Sequence, residues 1–173
     1  RLARIDVDPA ALCRAEREAG WRATRELLSP DGKLAVRWSA SVRNGANYAR
    51  QEVALTAVDQ PVEIEGVTLI DAKMAGAEVV GEVDGSPVVA GRFFLACEHP
   101  TAQNGVSEGR VQCRRLAFDR VTKDRTWTAS SVVGVAPAGR TRNRAGTGRA
   151  AAVESAATTP GVERLRDDLR AGT

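Results

Sequence analysis

Aromatic side chains are scarce in this chain, with three Trp, three Phe and one Tyr among 173 residues. A core of ordinary size draws on the same few rings, so an exposed platform of several aromatics is not expected. Histidine occurs once, as His99, and no Ser stands in a Gly-x-Ser-x-Gly elbow, which leaves a Ser-His-Asp arrangement without its usual setting. Cys13, Cys97 and Cys113 are an odd number at wide spacing. That pattern excludes a zinc framework and a disulfide-dense scaffold and suits small apolar core residues. Cys97 and Cys113 face each other if their strands are neighbours. The glycines of Gly81-Glu82-Val83-Asp84-Gly85 and of Gly105 to Gly109 lack the strand-glycine-helix setting of a phosphate loop. They are turn formers, and no cofactor is expected. No apolar run approaches the roughly 20 residues of a transmembrane helix, so no membrane span is expected. The chain starts at Arg1 with neither an initiator Met nor a basic-then-apolar leader, so a targeting segment is absent or removed.

What is present suits one domain. Hydrophobic residues make up 43% of the chain, enough for a core of ordinary size. The net charge of +3 resides in the tail, because residues 139–173 hold seven Arg against four acids. Before them 18 basic residues are interleaved with 18 acidic ones. Interleaved signs make a solvated surface rather than a concentrated basic face, and nucleic acid is not an expected partner.

The clearest local pattern runs from Lys33 to Ala57. Leu34, Val36, Trp38, Ala40 and Val42 alternate with Lys33, Arg37, Ser39, Ser41 and Arg43, the period of a half-buried strand. Asn44-Gly45 then tolerates the positive φ of a tight hairpin, and Val53, Leu55 and Ala57 resume one face. Short β-branched runs follow at Val62 to Ile70, Ala77 to Val83, Val88 to Cys97, Arg110 to Phe118 and Thr126 to Val135, separated by turn residues. None keeps a helical period. The predicted fold is all-β, an antiparallel β-sandwich over residues 21–139. Residues 1–20 are expected to be an irregular or short helical segment, with Asp8 capping a helix that starts at Pro9 and Gly20 interrupting it. Residues 140–173, rich in Arg, Ala, Gly and Thr, bring little apolar area and are expected to be a low-complexity tail, disordered or short-helical.

Two polar clusters stand out. Glu98-His99-Pro100 closes the apolar strand Phe93-Phe94-Leu95-Ala96-Cys97 and opens a polar loop, where side chains at the lip of a rigid sandwich meet ligands. The simpler role is to satisfy backbone groups at a strand end. Around the hairpin, Asn47, Tyr48 and Arg50, with Arg43 and Asn44, offer planar donors and one ring suited to sugar hydroxyls and ring faces. Their simpler role is service to the turn. Glu98, His99, Asn47, Tyr48 and Arg50 are the candidate ligand-contacting residues.

Several separated segments carry a family likeness. Trp38-Ser39-Ala40, the stretch from Arg43 to Glu52, the run from Val83 to Gly91 with Phe93-Phe94, and Glu98-His99-Pro100 resemble bacterial glycoside hydrolases related to endo-α-N-acetylgalactosaminidases. The resemblance covers about Trp21 to Gly139. It implies a galactose-mutarotase-like β-super-sandwich placed before a (β/α)8 catalytic barrel, a glycan or glycoprotein carbohydrate as partner, the barrel as a second partner, and an extracellular or periplasmic location. In such relatives a segment like Ser130 to Gly139 leads into an aromatic-rich stretch and then the barrel with its catalytic carboxylates. The residues from Arg140 onward resemble none of that. Truncation with a tail from a shifted reading frame is one explanation, and a natural linker is another. The implied function is a non-catalytic portion that flanks the active site of the barrel. An autonomous carbohydrate-binding or adhesive sandwich is the alternative. An epimerase-like sandwich enzyme is a third possibility, disfavoured by the single histidine.

Overall fold

In the computed structural model residues 1–11 and 17–136 are described. They form an antiparallel β-sandwich of two unequal sheets. The larger has the order β1-β2-β3-β4-β11-β8-β7-β6 and the smaller β5-β10-β9. The strands are β1 Leu2–Ile5, β2 Gly20–Leu28, β3 Leu34–Arg43, β4 Tyr48–Ala57, β5 Val62–Lys73, β6 Ala77–Val79, β7 Val88–Ala90, β8 Phe93–Cys97, β9 Gln103–Ser107, β10 Arg110–Val121 and β11 Trp127–Val135. Every pairing is antiparallel.

The β3–β4 hairpin forms where the alternation predicts it, with Val36 opposite Leu55 and Trp38 opposite Val53. Its loop differs in detail from a two-residue turn. Strand pairing stops at Val42 and Ala49, and of Asn44 and Gly45 only Gly45 takes a positive φ, 73°. Ala46 N–H donates to the Arg43 carbonyl at 3.1 Å and closes the turn.

Three features depart from the sequence expectation. Leu2–Ile5 pairs with β2 as an edge strand, in a stretch expected to be irregular or helical. Asp8 accepts from Ala10 N–H at 3.0 Å, as a turn-forming cap does, while Cys13 and the body of the anticipated helix lie outside the described residues. The run Val88 to Cys97 is two strands, because Gly91 at φ 58° turns the chain so that Ala90 faces Phe93. The polar stretch between His99 and Gly109 contains β9, returned onto β10 through Glu108 and Gly109 at φ 49° and 72°. Positive φ at both central residues matches the twist of a two-residue hairpin. The tail, residues 140–173, lies outside the described residues.

The core sits between the sheets in two clusters. One gathers Val53, Leu55, Ala57, Val121, Trp127 and Ala129, with Val36 and Trp38 packed against it. The other gathers Ile70, Val88, Leu95, Cys97, Ala102, Val111 and Cys113. Leu69 packs against both. A β-bulge sets its position: β10 and β5 slip register between Cys113 and Arg114, so Leu69 is passed over while Ile70 and Thr68 are paired. An unpaired bulge residue has backbone groups to spare. The Leu69 carbonyl accepts the Gln51 side-chain amide at 2.6 Å, and the same amide donates to Ser131 Oγ at 2.7 Å. Gln51 Oε1 accepts from the Trp38 indole at 3.1 Å. The network ties β3, β4 and β11 of the large sheet to β5 of the small one.

Cys97 and Cys113 are buried free thiols in the same cluster. They belong to different sheets and approach across the core, not along one sheet as neighbouring strands. Burial, reinforced by Cys113, pushes the Cys97 thiol up to about 12. Burial also pushes Cys113 up to about 11, a rise partly offset by its hydrogen bond to the Cys97 backbone. Unfolded thiols ionise near 9.0, so between there and the folded values only the unfolded chain gains thiolate. Stability from these groups is complete below pH 9 and lost as pH rises toward 11 and 12. Denaturant unfolding between pH 8 and 10.5 should show this decline, at most about 1.4 kcal/mol per pH unit per thiol. The decline should be shallower in the Cys97→Ser variant. An equal slope in both proteins would show that the thiols are not its source.

Candidate functional site

Strand alternation sends Gln51, Val53 and Leu55 inward and therefore Tyr48, Arg50, Glu52 and Ala54 to the outer face of the large sheet. On that face Glu52 stands opposite Ser130, and Glu98 N–H donates to the Ser130 carbonyl at 2.9 Å just beyond β8. Glu52, Ser130 and Glu98 thus form a row across three strands, with Arg50 in the adjoining row. Arg50 Nε donates to Glu98 Oε2 at 2.5 Å, and Arg50 Nη1 lies 3.4 Å from Glu52 Oε1. Both carboxylates converge on one guanidinium. Its half-exposed position keeps the net energetic worth of these pairs small, and their effect is to fix the geometry of the face.

Tyr48, Gly134 and Phe94 form a row on the same face. The Phe94 ring lies over Gly134, and a methyl group at Gly134 would run into that ring. The missing side chain lets Phe94 lie down on the sheet beside Tyr48. Both rings are half-buried.

The structure therefore brings Arg50, Glu98 and Tyr48 to one surface. Asn47 and His99 do other work. Asn47 Nδ2 donates to the Val135 carbonyl at 2.9 Å while Val135 N–H donates to the Asn47 carbonyl at 2.8 Å, which closes the end of the β4–β11 ladder. His99 Nδ1 sits 2.9 Å from Thr101 Oγ1 and accepts from Thr101 N–H at 3.3 Å, so the imidazole serves its own loop. That loop is braced by Asn104, whose Oδ1 accepts from Cys97 N–H at 3.0 Å and whose Nδ2 donates to the carbonyls of Gly85 and Ser86. Arg43 donates through Nη1 to the Glu18 carbonyl at 2.8 Å and holds the segment ahead of β2.

Beside Arg50 the outer face carries a groove of about 380 Å³. Arg22 of β2, Arg37 of β3, Arg50 of β4 and Arg115 of β10 line it with Glu52. Its other lining residues, among them Ser39, Ala54 and Ser130, are small. Arg115 reaches it from the other sheet. Its guanidinium carbon lies 5.0 Å from the centre of the Trp127 ring, and Nη1 donates to the Thr128 carbonyl. The sequence singles out none of Arg22, Arg37 and Arg115. Alternation and hairpin register place Arg22 and Arg37 on the Arg50 face, but Arg115 depends on packing between sheets. Among the described residues no group of three or more His, Cys, Asp or Glu is placed to hold a metal ion, and no helix is long and apolar enough to cross a membrane.

Comparison with protein-family models, with curated proteins and with solved structures finds no match to this chain.

The Phe94–Gly134 contact is open to a double-mutant cycle. Gly134→Ala should cost about 1 to 3 kcal/mol of unfolding free energy through overpacking. In a Phe94→Ala background the same change should cost much less. An equal cost in both backgrounds would show that the ring does not cover the glycine.

Proposed function

We propose that this chain is the non-catalytic β-sandwich portion of a bacterial glycoside hydrolase acting on α-linked glycans, flanking the active site of a catalytic barrel and turning the outer face of its large sheet toward the glycan. The observation that carries this reading is the meeting of Arg50 and Glu98 beside Tyr48 and Phe94 on one face. Charged donors and acceptors answer sugar hydroxyls, and half-buried rings answer the C–H faces of a pyranose. The likeness of the segments around Trp38, Arg43 to Glu52 and Glu98 to glycosidase sequences supports the same class.

A flanking role has its own support. The inner face of the large sheet extends past the cover of the small one where Phe93 and Val133, on neighbouring strands, are exposed by 46% and 38%. Apolar area of this kind suits contact with further protein. Hydrolysis of a glycoside calls for two carboxyl groups in separate roles. Here Glu52 and Glu98 are both engaged by Arg50, and the reading assigns the acid and its partner to the barrel.

An autonomous carbohydrate-binding or adhesive module is the second reading. It is favoured by the origin of Arg50, Glu98, Tyr48 and Phe94 in one sheet, a surface that needs no second domain to complete it.

The test is to expose the purified chain to an array of neutral α-linked glycans and, separately, to aryl α-galactosaminide and α-galactoside substrates for days. Weak binding that Tyr48→Ala and Arg50→Ala both reduce, without turnover, is expected. Turnover that survives repurification and disappears in Glu98→Gln would overturn the assignment of catalysis elsewhere, and absence of all glycan binding would remove the glycan-facing surface.

A further inference from the structure

The outer groove holds a charge arrangement that the glycan reading above does not require. Four arginines face one glutamate among its lining residues. Arg50 is engaged by Glu52 and Glu98, whereas none of the ion pairs among the described residues uses Arg22, Arg37 or Arg115. The Nε atoms of Arg22 and Arg115 are buried without a hydrogen-bond partner, and these are the two buried side-chain polar atoms so found among the described residues. Buried donors in folded proteins are nearly always satisfied, and one that is not carries a free-energy cost that an acceptor relieves. Both line the same groove, from strands of opposite sheets.

Placement makes the pair useful. Arg22 stands on β2 and the Arg115 tip on β11, three strand spacings apart, or about 14 Å across the sheet face. Arg37 and Arg50 lie on the two strands between. Small side chains on the groove floor, Ser39, Ala54 and Ser130, leave room beside the guanidinium groups. A fork of N–H donors matches the paired oxygens of a carboxylate or sulfate more closely than it matches a neutral hydroxyl.

We propose that this groove binds the oxyanion groups, sulfate ester or carboxylate, of an acidic glycan chain laid across β2, β3, β4 and β11, with Arg22, Arg37 and Arg115 as the anion contacts. The polymer class rests on the proposed glycan-facing function, and the preference for negative charge rests on the groove alone. Nucleic acid also offers spaced oxyanions, but single strands are gripped by stacking bases on aromatic rings, and no aromatic residue lines the groove. Arg50, held by Glu52 and Glu98, acts as a fixed positioning element beside guanidinium groups that carry no ion pair among the described residues.

The experiment is isothermal titration of the full chain with a sulfated oligosaccharide, a polyuronate oligosaccharide of carboxylate charge, a neutral α-linked oligosaccharide, inorganic sulfate and a single-stranded oligonucleotide. At least one of the two acidic glycans should bind more tightly than the neutral one, and which of the two binds distinguishes sulfate from carboxylate as the preferred oxyanion. Removing a charged hydrogen-bond donor should weaken that binding about tenfold or more in Arg22→Gln and again in Arg37→Gln. Arg25→Gln, which removes the same charge from the opposite face of β2, should change it less than about twofold. Thermal melts of each variant establish that it is folded, and exposed Arg37 supplies a test if Arg22→Gln does not fold. Equal losses in Arg25→Gln would reduce the effect to net charge and overturn the proposal, as would tighter binding of the oligonucleotide or indifference to every anion. Binding of inorganic sulfate in the Arg22- and Arg37-dependent manner, with no glycan bound, would sustain the oxyanion contacts while refuting the acidic-glycan ligand and the glycan reading beneath it. Binding of the neutral glycan alone would do the reverse.

Discussion

The Gln51 side chain is the constraint on which both faces of the large sheet depend. A carboxamide inside a sandwich is tolerated only when its donors and acceptor are satisfied, and here Leu69, Ser131 and Trp38 satisfy them from three other strands. The bulge in β5 supplies the Leu69 carbonyl, so the irregularity of the small sheet and the polar bolt of the large one are parts of a single arrangement. A one-residue slip of β4 would carry Gln51 to the surface and bury Arg50 and Glu52 instead. The inner network therefore sets the register that presents the charged outer face.

That outer face joins two kinds of polar surface. Toward β8 it offers Tyr48, Phe94 and the Arg50–Glu98 pair, and toward β2 it offers the arginine groove. Arg50 belongs to both. The scarcity of aromatic residues limits how much stacking the surface supplies, and guanidinium groups supply directional contacts in its place.

Much of the fold was legible because strict alternation leaves one geometric solution. Leu34 to Val42 could face the core only as a strand, and Asn44-Gly45 marked the reversal. The misses have local causes. β9 is a polar stretch, Gln103 to Ser107, whose strand form comes from pairing with β10 and not from its own propensity. β1 is four residues at a sheet edge, too short to show a period. Of the candidate site residues, Arg50, Glu98 and Tyr48 meet on a surface, whereas Asn47 and His99 fill the backbone-satisfying roles that strand ends demand. Arg22 and Arg37 were hidden because charges alternating along a strand read as ordinary solvated surface. Arg115 was hidden because its side chain crosses from one sheet to a carbonyl of the other, a contact with no signature along the chain.

The proposed function requires an outer face that binds while the inner bolt holds still. Its most direct measurement is an NMR titration of the side-chain N–H resonances with a sulfated oligosaccharide. The Nε–H signals of Arg22, Arg37 and Arg115 should move in a saturable way, while the Gln51 amide and Trp38 indole signals stay fixed. Movement of Gln51 and Trp38 with the arginine signals unchanged would place the ligand on the inner side of the sheet and contradict the account.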